Sequence, residues 1–134
     1  MSFTISVTTN RPYADAVEAV RTALADQGFG VLTEIDIRAT MKAKLDVDVA
    51  PQVILGACRP QLAHQALLKN PSLAAVLPCN VVVRALDDQT CIVEAFDPEA
   101  MMGLAGDDLR EIATDARQRI TAALDALSSA PVEA

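Results

Sequence analysis

Phe3, Ile5 and Val7 alternate with Thr4, Ser6 and Thr8 at the start of the chain. This period of two predicts a strand with one wet face. Asn10 is then placed to cap a helix with Pro12 near its first turn. Along it Tyr13, Val17, Val20 and Leu24 step by four, three and four, which makes one apolar stripe, and Gly28 stops it. Over residues 29–37 the period returns to two. Phe29, Val31, Ile35 and Ile37 are expected on one side, with Glu34 and Asp36 on the other. Residues 38–45 follow as a short run of good helix formers.

The second half repeats the alternation of strand and helix. Residues 53–58 form a nearly continuous apolar run ending in Gly56-Ala57-Cys58, and Pro60 opens a helix over 61–69 that Asn70-Pro71 closes. Val81-Val82-Val83 and residues 91–96 flank Asp87-Asp88-Gln89, the pattern of a hairpin. The last helix is expected to start at Asp107 or Asp108, with Asp108 and Glu111 as a capping box. Its stripe is Leu109, Ile112, Ala116, Ile120, Leu124 and Leu127.

The order is therefore β-α-β-(α)-β-(α)-β-β-α, an α+β fold. Hairpin-linked strands favour an antiparallel or mixed sheet, and the two long amphipathic helices would cover its apolar face. Residues 1–127 read as a single domain and 128–134 as a disordered tail. The sheet's second face is half apolar, with Leu32, Ile54, Val82 and Leu86 among charges. Such a face needs cover, which is the physical motive for expecting a homodimer.

Composition narrows the function. The chain has 134 residues, 51% of them hydrophobic, but only 3 Phe, 1 Tyr and no Trp. Its formal charge is −7, which argues against a nucleic-acid backbone as partner, and the scarcity of rings argues against base stacking. Residues 1–86 carry a net charge of +1 and residues 87–134 a net −8, a solvated acidic face on the last helix or a docking face for a basic partner. No segment is apolar enough to span a membrane, and the start lacks a secretory pattern. The 3 cysteines are odd in number and unpaired by motif, so a cytoplasmic location is the expectation.

Candidate chemistry gathers at Cys58-Arg59-Pro60, His64 and Pro78-Cys79-Asn80. The helix start after Cys58 and the Arg59 guanidinium would both favour a thiolate at Cys58. If the strands ending and starting at Cys58 and Cys79 pair, the two thiols approach each other. Cys58, Arg59, His64, Cys79 and Asn80 are thus the candidate ligand-binding residues. Cys58, His64 and Cys79 could alternatively bind a soft metal ion or run thiol chemistry, with Asp97, Cys91 or water as a fourth ligand. Opposed to both readings, free cysteines commonly serve as small apolar filling. No cofactor and no catalytic residue is otherwise expected. Glu34, Asp36, Arg84 and Glu94 project from strands; on a shared face Arg84 would pair with Glu34 or Glu94, and a paired carboxylate could act as a base. Met101-Met102-Gly103 reads as a flexible apolar loop, a plug for the core, a lid or a dimer contact. There is no phosphate loop, GxSxG or HExxH motif.

Three stretches carry a resemblance: Gly28-Phe29-Gly30-Val31-Leu32-Thr33-Glu34-Ile35-Asp36-Ile37, Ile54-Leu55-Gly56-Ala57-Cys58-Arg59-Pro60 with Ala63-His64, and Leu77-Pro78-Cys79-Asn80-Val81-Val82-Val83. With Glu94-Ala95-Phe96-Asp97-Pro98 and Met101 they resemble the prokaryotic family called domain of unknown function 302 (DUF302), over roughly residues 3 to 127. The resemblance implies a β-α-β4-α arrangement similar to the TATA-binding-protein fold and a small homodimeric protein. It brings no established activity and assigns no catalytic role to Cys58, His64 or Cys79. Similarity of fold to a DNA binder does not imply DNA binding, since function resides in sites. The expectation is a non-catalytic homodimeric module that binds a small molecule.

Overall fold

The computed structural model describes residues 2–128. Strand β1 (Thr4–Thr9) leads into helix α1 (Tyr13–Asp26), then β2 (Gly30–Asp36), α2 (Ile37–Leu45) and β3 (Gln52–Cys58). Helix α3 (Pro60–Lys69) and a 3-10 turn (Pro71–Ala75) precede the hairpin of β4 (Cys79–Ala85) and β5 (Cys91–Phe96). Further turns and the short helix α4 (Met102–Ala105) lead to α5 (Arg110–Asp125). The strands form one sheet in the order β1-β5-β4-β3-β2, and every neighbouring pair is antiparallel. The expected α+β architecture is present, with two long helices on one face and two short helices inserted between strands.

Alternation along the three central strands makes the core. Val53, Leu55 and Ala57 of β3, Cys79, Val81 and Val83 of β4, and Cys91, Val93 and Ala95 of β5 are all buried. Ala16, Val20, Ala23 and Leu24 of α1 and Ile120, Ala123 and Leu124 of α5 pack against them. Each large apolar side chain so enclosed contributes about 1.5–3 kcal/mol. The interior contains few rings: tight α1–α5 packing over the sheet rests on alanines, which let backbones come close. A satellite cluster of Ala66, Leu73 and Leu109 seats α3 and its following turn beside α5.

Four details depart from the sequence reading. Strand β2 pairs with β3 through a register shift between Val31 and Thr33, so Leu32 is the extra residue of a bulge. Val31 lies opposite the buried Ala57, but beyond the bulge the parity inverts: Glu34 lies opposite Leu55 and Asp36 opposite Val53, on the helix side, while Ile35 lies opposite Ile54 on the open side. Glu34 accordingly pairs with Arg21 of α1. Asn10 does not cap α1; Pro12 holds the N-cap position, with no side-chain hydrogen bond there. The box of Asp108 and Glu111 does not form either, because Asp107–Leu109 is a 3-10 turn and α5 begins only at Arg110. The stretch after Pro98 is a 3-10 turn followed by α4 rather than a loop, and the side chains at 101–103 lie outside the described residues, as does the expected tail beyond 128.

Candidate functional site

Register brings the two predicted thiols together. Ala57 is the direct partner of Cys79 across β3 and β4, so Cys58 is one residue beyond that partner. Immediately after it, Arg59 takes the N-cap position of α3, with Pro60 at the first helical position, where the missing N–H costs nothing. Leu62 and Ala66 turn inward from α3 and are buried. Between α3, α5 and these strand ends lies an apolar cavity of about 50 Å³. Cys58, Arg59 and Cys79 line it, together with Phe29, Leu62 and Ile112 among other apolar side chains.

The electrostatics are those of thiols in hydrocarbon. Burial pushes the Cys58 thiol up, and pushes Cys79 up to about 11 with the neighbouring Cys58 adding to the shift. The expectation that helix start and guanidinium stabilise a Cys58 thiolate is therefore corrected: desolvation dominates, and the protonated thiol is the resting form. Cys91, buried beneath the hairpin on the same sheet face, donates to the Arg11 carbonyl at 3.5 Å and is likewise raised by burial and then by Asp87. All three cysteines are free.

Arg59 is the polar component of the cavity. Its side chain is half-buried and lies against the turn at Gly28, where the missing Cβ leaves room for it and φ is 85°. A Cβ on residue 28 would approach Arg59 Nε to 3.0 Å. That Nε is buried and has no hydrogen-bond partner among the described residues.

His64 does not join this group. Leu62 and Ala66 set the inward direction of α3, and His64 lies two residues from each, about 200° around the helix. It is exposed and absent from the cavity wall. Among the described residues no group of three or more His, Cys, Asp or Glu side chains could hold a metal ion. The soft-metal reading through Cys58, His64 and Cys79 is thereby overturned. Asn80 is exposed and belongs to the open face of the sheet, since it follows the inward-facing Cys79. Of the five candidate ligand residues, three share the cavity and two do not.

On that open face Ile35, Ile54 and Val82 form a cross-strand row that continues to Glu94. Arg84 pairs with Glu94 at 3.7 Å, as the sequence suggested, and Thr4 Oγ1 donates to Glu94 at 2.9 Å. Glu34 and Asp36 belong to the other side, so the four charged residues do not converge. What the sequence reading missed is the role of α3 as a loosely packed cover: Leu62 and Ala66 alone are buried along it, and their four-residue spacing was the available signal.

An antiparallel five-stranded sheet with two long helices on one face, and an apolar cavity beside Cys58 and Cys79, defines a small α+β domain. The model of the family described as domain of unknown function DUF302 matches residues 5–127, and the chain belongs to that family. Among solved structures it is similar to the uncharacterized conserved protein DUF302 from Bacillus stearothermophilus, with a TM-score of 0.86 and 30% identity over 95% of this chain and 99% of that one. No curated protein matches the chain. No helix among the described residues is long and apolar enough to cross a membrane.

Proposed function

We propose that this chain is a non-catalytic, homodimeric binding module that holds a small molecule in the cavity lined by Cys58, Arg59 and Cys79. The observation that carries the reading is the pairing of an apolar wall with the buried Arg59 Nε, which has no hydrogen-bond partner among the described residues. An enclosed polar group left unpaired is costly, and a bound ligand would relieve that cost. The thiols supply soft, uncharged wall rather than nucleophiles. Protein NMR titration with a small apolar probe, 1-butanol, tests the site: shifts confined to the amides of Ala57, Ala63 and Ala66 support it, and an unchanged spectrum refutes it.

The second copy sits on the open sheet face in this reading. In the row of Ile35, Ile54 and Val82, Ile35 is 48% exposed. The adjacent Arg84 and Glu94 give that face both signs of charge, so a two-fold axis would bring unlike charges together. Light scattering at micromolar concentration should give twice the chain mass, and Val82→Glu should reduce it to one. A single-chain mass for the unaltered protein refutes the dimer.

A further inference from the structure

We infer that the ligand of this cavity is a short-chain carboxylate, its acid group held at Arg59 and its hydrocarbon running inward between α3 and α5. The inference rests on the proposed ligand site and names the chemistry that the site selects. A second cavity of about 30 Å³ adjoins the first, and the two share Ala66, Leu77, Ile112 and Ala116 as common wall. Cys58 and Arg59 line only the first, whereas Leu73, Leu109 and Ala113 line only the second. The pair is therefore one slot with a cationic end and a hydrocarbon end. Small side chains, Ala66 of α3 and Ala116 of α5, stand where the two parts meet.

Size and charge decide the ligand. Together the cavities offer space on the order of three water-sized groups, enough for a few methylenes and too little for a long acyl chain or a ring system. The Arg59 side chain makes no salt bridge or hydrogen bond among the described residues, whereas Arg11, Arg21, Arg84, Arg117 and Arg119 all have side-chain partners. In an acidic protein an unpaired guanidinium at the mouth of an apolar slot selects an anion over a neutral alcohol.

The test compares butyrate, 1-butanol and acetate by NMR titration of the full chain. Butyrate, whose three-carbon tail matches the slot, should bind at least about tenfold more tightly than 1-butanol, the difference expected of a charge-assisted hydrogen bond. Acetate, which has the charge without the chain, should bind far more weakly than butyrate. Arg59→Gln should bring butyrate down to the affinity of 1-butanol while leaving 1-butanol unchanged, and Ala66→Leu, which fills the passage, should abolish both. If 1-butanol binds as well as butyrate, or if Arg59→Gln leaves butyrate affinity intact, the carboxylate assignment is wrong although the cavity remains a ligand site. If neither four-carbon compound binds, the site itself is refuted. Arg59→Gln alters a half-buried position and decides the question even if the Ala66 variant does not fold.

Discussion

Thr33 and Gly56 stand directly opposite each other across β2 and β3, and Thr33 Oγ1 fills the space into which a Cβ on residue 56 would project. Pro78 Cγ closes the same space from β4's side, 2.8 Å from that Cβ position. Gly56 is thus required by close approach rather than by backbone angle, two residues before Cys58. Gly56→Ala should cost roughly 1–3 kcal/mol in urea unfolding, the usual penalty of overpacking. Pairing it with Thr33→Ala should recover part of the loss, because Pro78 still obstructs. Full stability in the single variant would contradict the packing described.

The thiols predict an alkaline weakness. Burial pushes the Cys79 thiol up to about 11 in the folded protein from its ordinary value of 9.0, so below pH 9 both folded and unfolded chains hold the proton. Between those values the unfolded chain loses its proton first, and stability falls as pH rises. On the order of 2 kcal/mol is at stake between pH 9 and 11. Unfolding free energies measured across that window should decline, and Cys79→Ala should flatten the decline. A profile unchanged by that substitution would remove Cys79 as its source.

Reactivity should follow exposure and not the presence of Arg59. Iodoacetamide at neutral pH should modify the half-buried Cys58 first and slowly, and should reach Cys79 and Cys91 mainly after denaturant is added. Mass spectrometry of timed samples reads the order. Rapid labelling of Cys58 would restore the thiolate that burial argues against.

Asp97 ties the end of β5 to α5. One of its oxygens accepts from the Glu99 amide at 2.9 Å, and the carboxylate meets Arg117 Nε at 3.2 Å. Asp97→Ala removes both at a site whose side chain is only 16% exposed and should cost about 1–2 kcal/mol in thermal or urea unfolding. Glu99→Ala loses only a longer contact of 3.7 Å to the same guanidinium and should change stability by less than about 0.5 kcal/mol. Equal effects would show that the turn, and not the carboxylate, holds the junction.

Much of this architecture was legible in the sequence because few positions are ambiguous. The stripes ending at Leu24 and Leu124 have the period of a helix, and the β-branched run at Val81 is flanked by turn residues. Adjacent strands then brought Cys58 beside Cys79 without further information. The inversion at Leu32 was harder to see, since no Gly or Pro marks it; the two consecutive apolar residues Val31 and Leu32 were its only trace. His64 was misjudged because its proximity to Cys58 was taken along the chain, whereas helical phase decides where an imidazole points. The unpartnered state of Arg59 depends on every neighbour at once, and no local pattern encodes it.

The bulge at Leu32 also determines how the sheet ends. Past it, the outermost ribbon turns two carboxylates, Glu34 and Asp36, toward the helix layer, and Asp36 receives the Ala39 amide as the chain swings into α2. An incoming strand zipping onto this border would have to strip water from those anions, a deterrent that guards natural sheet margins against runaway aggregation. That border of the sheet therefore resists edge-to-edge growth.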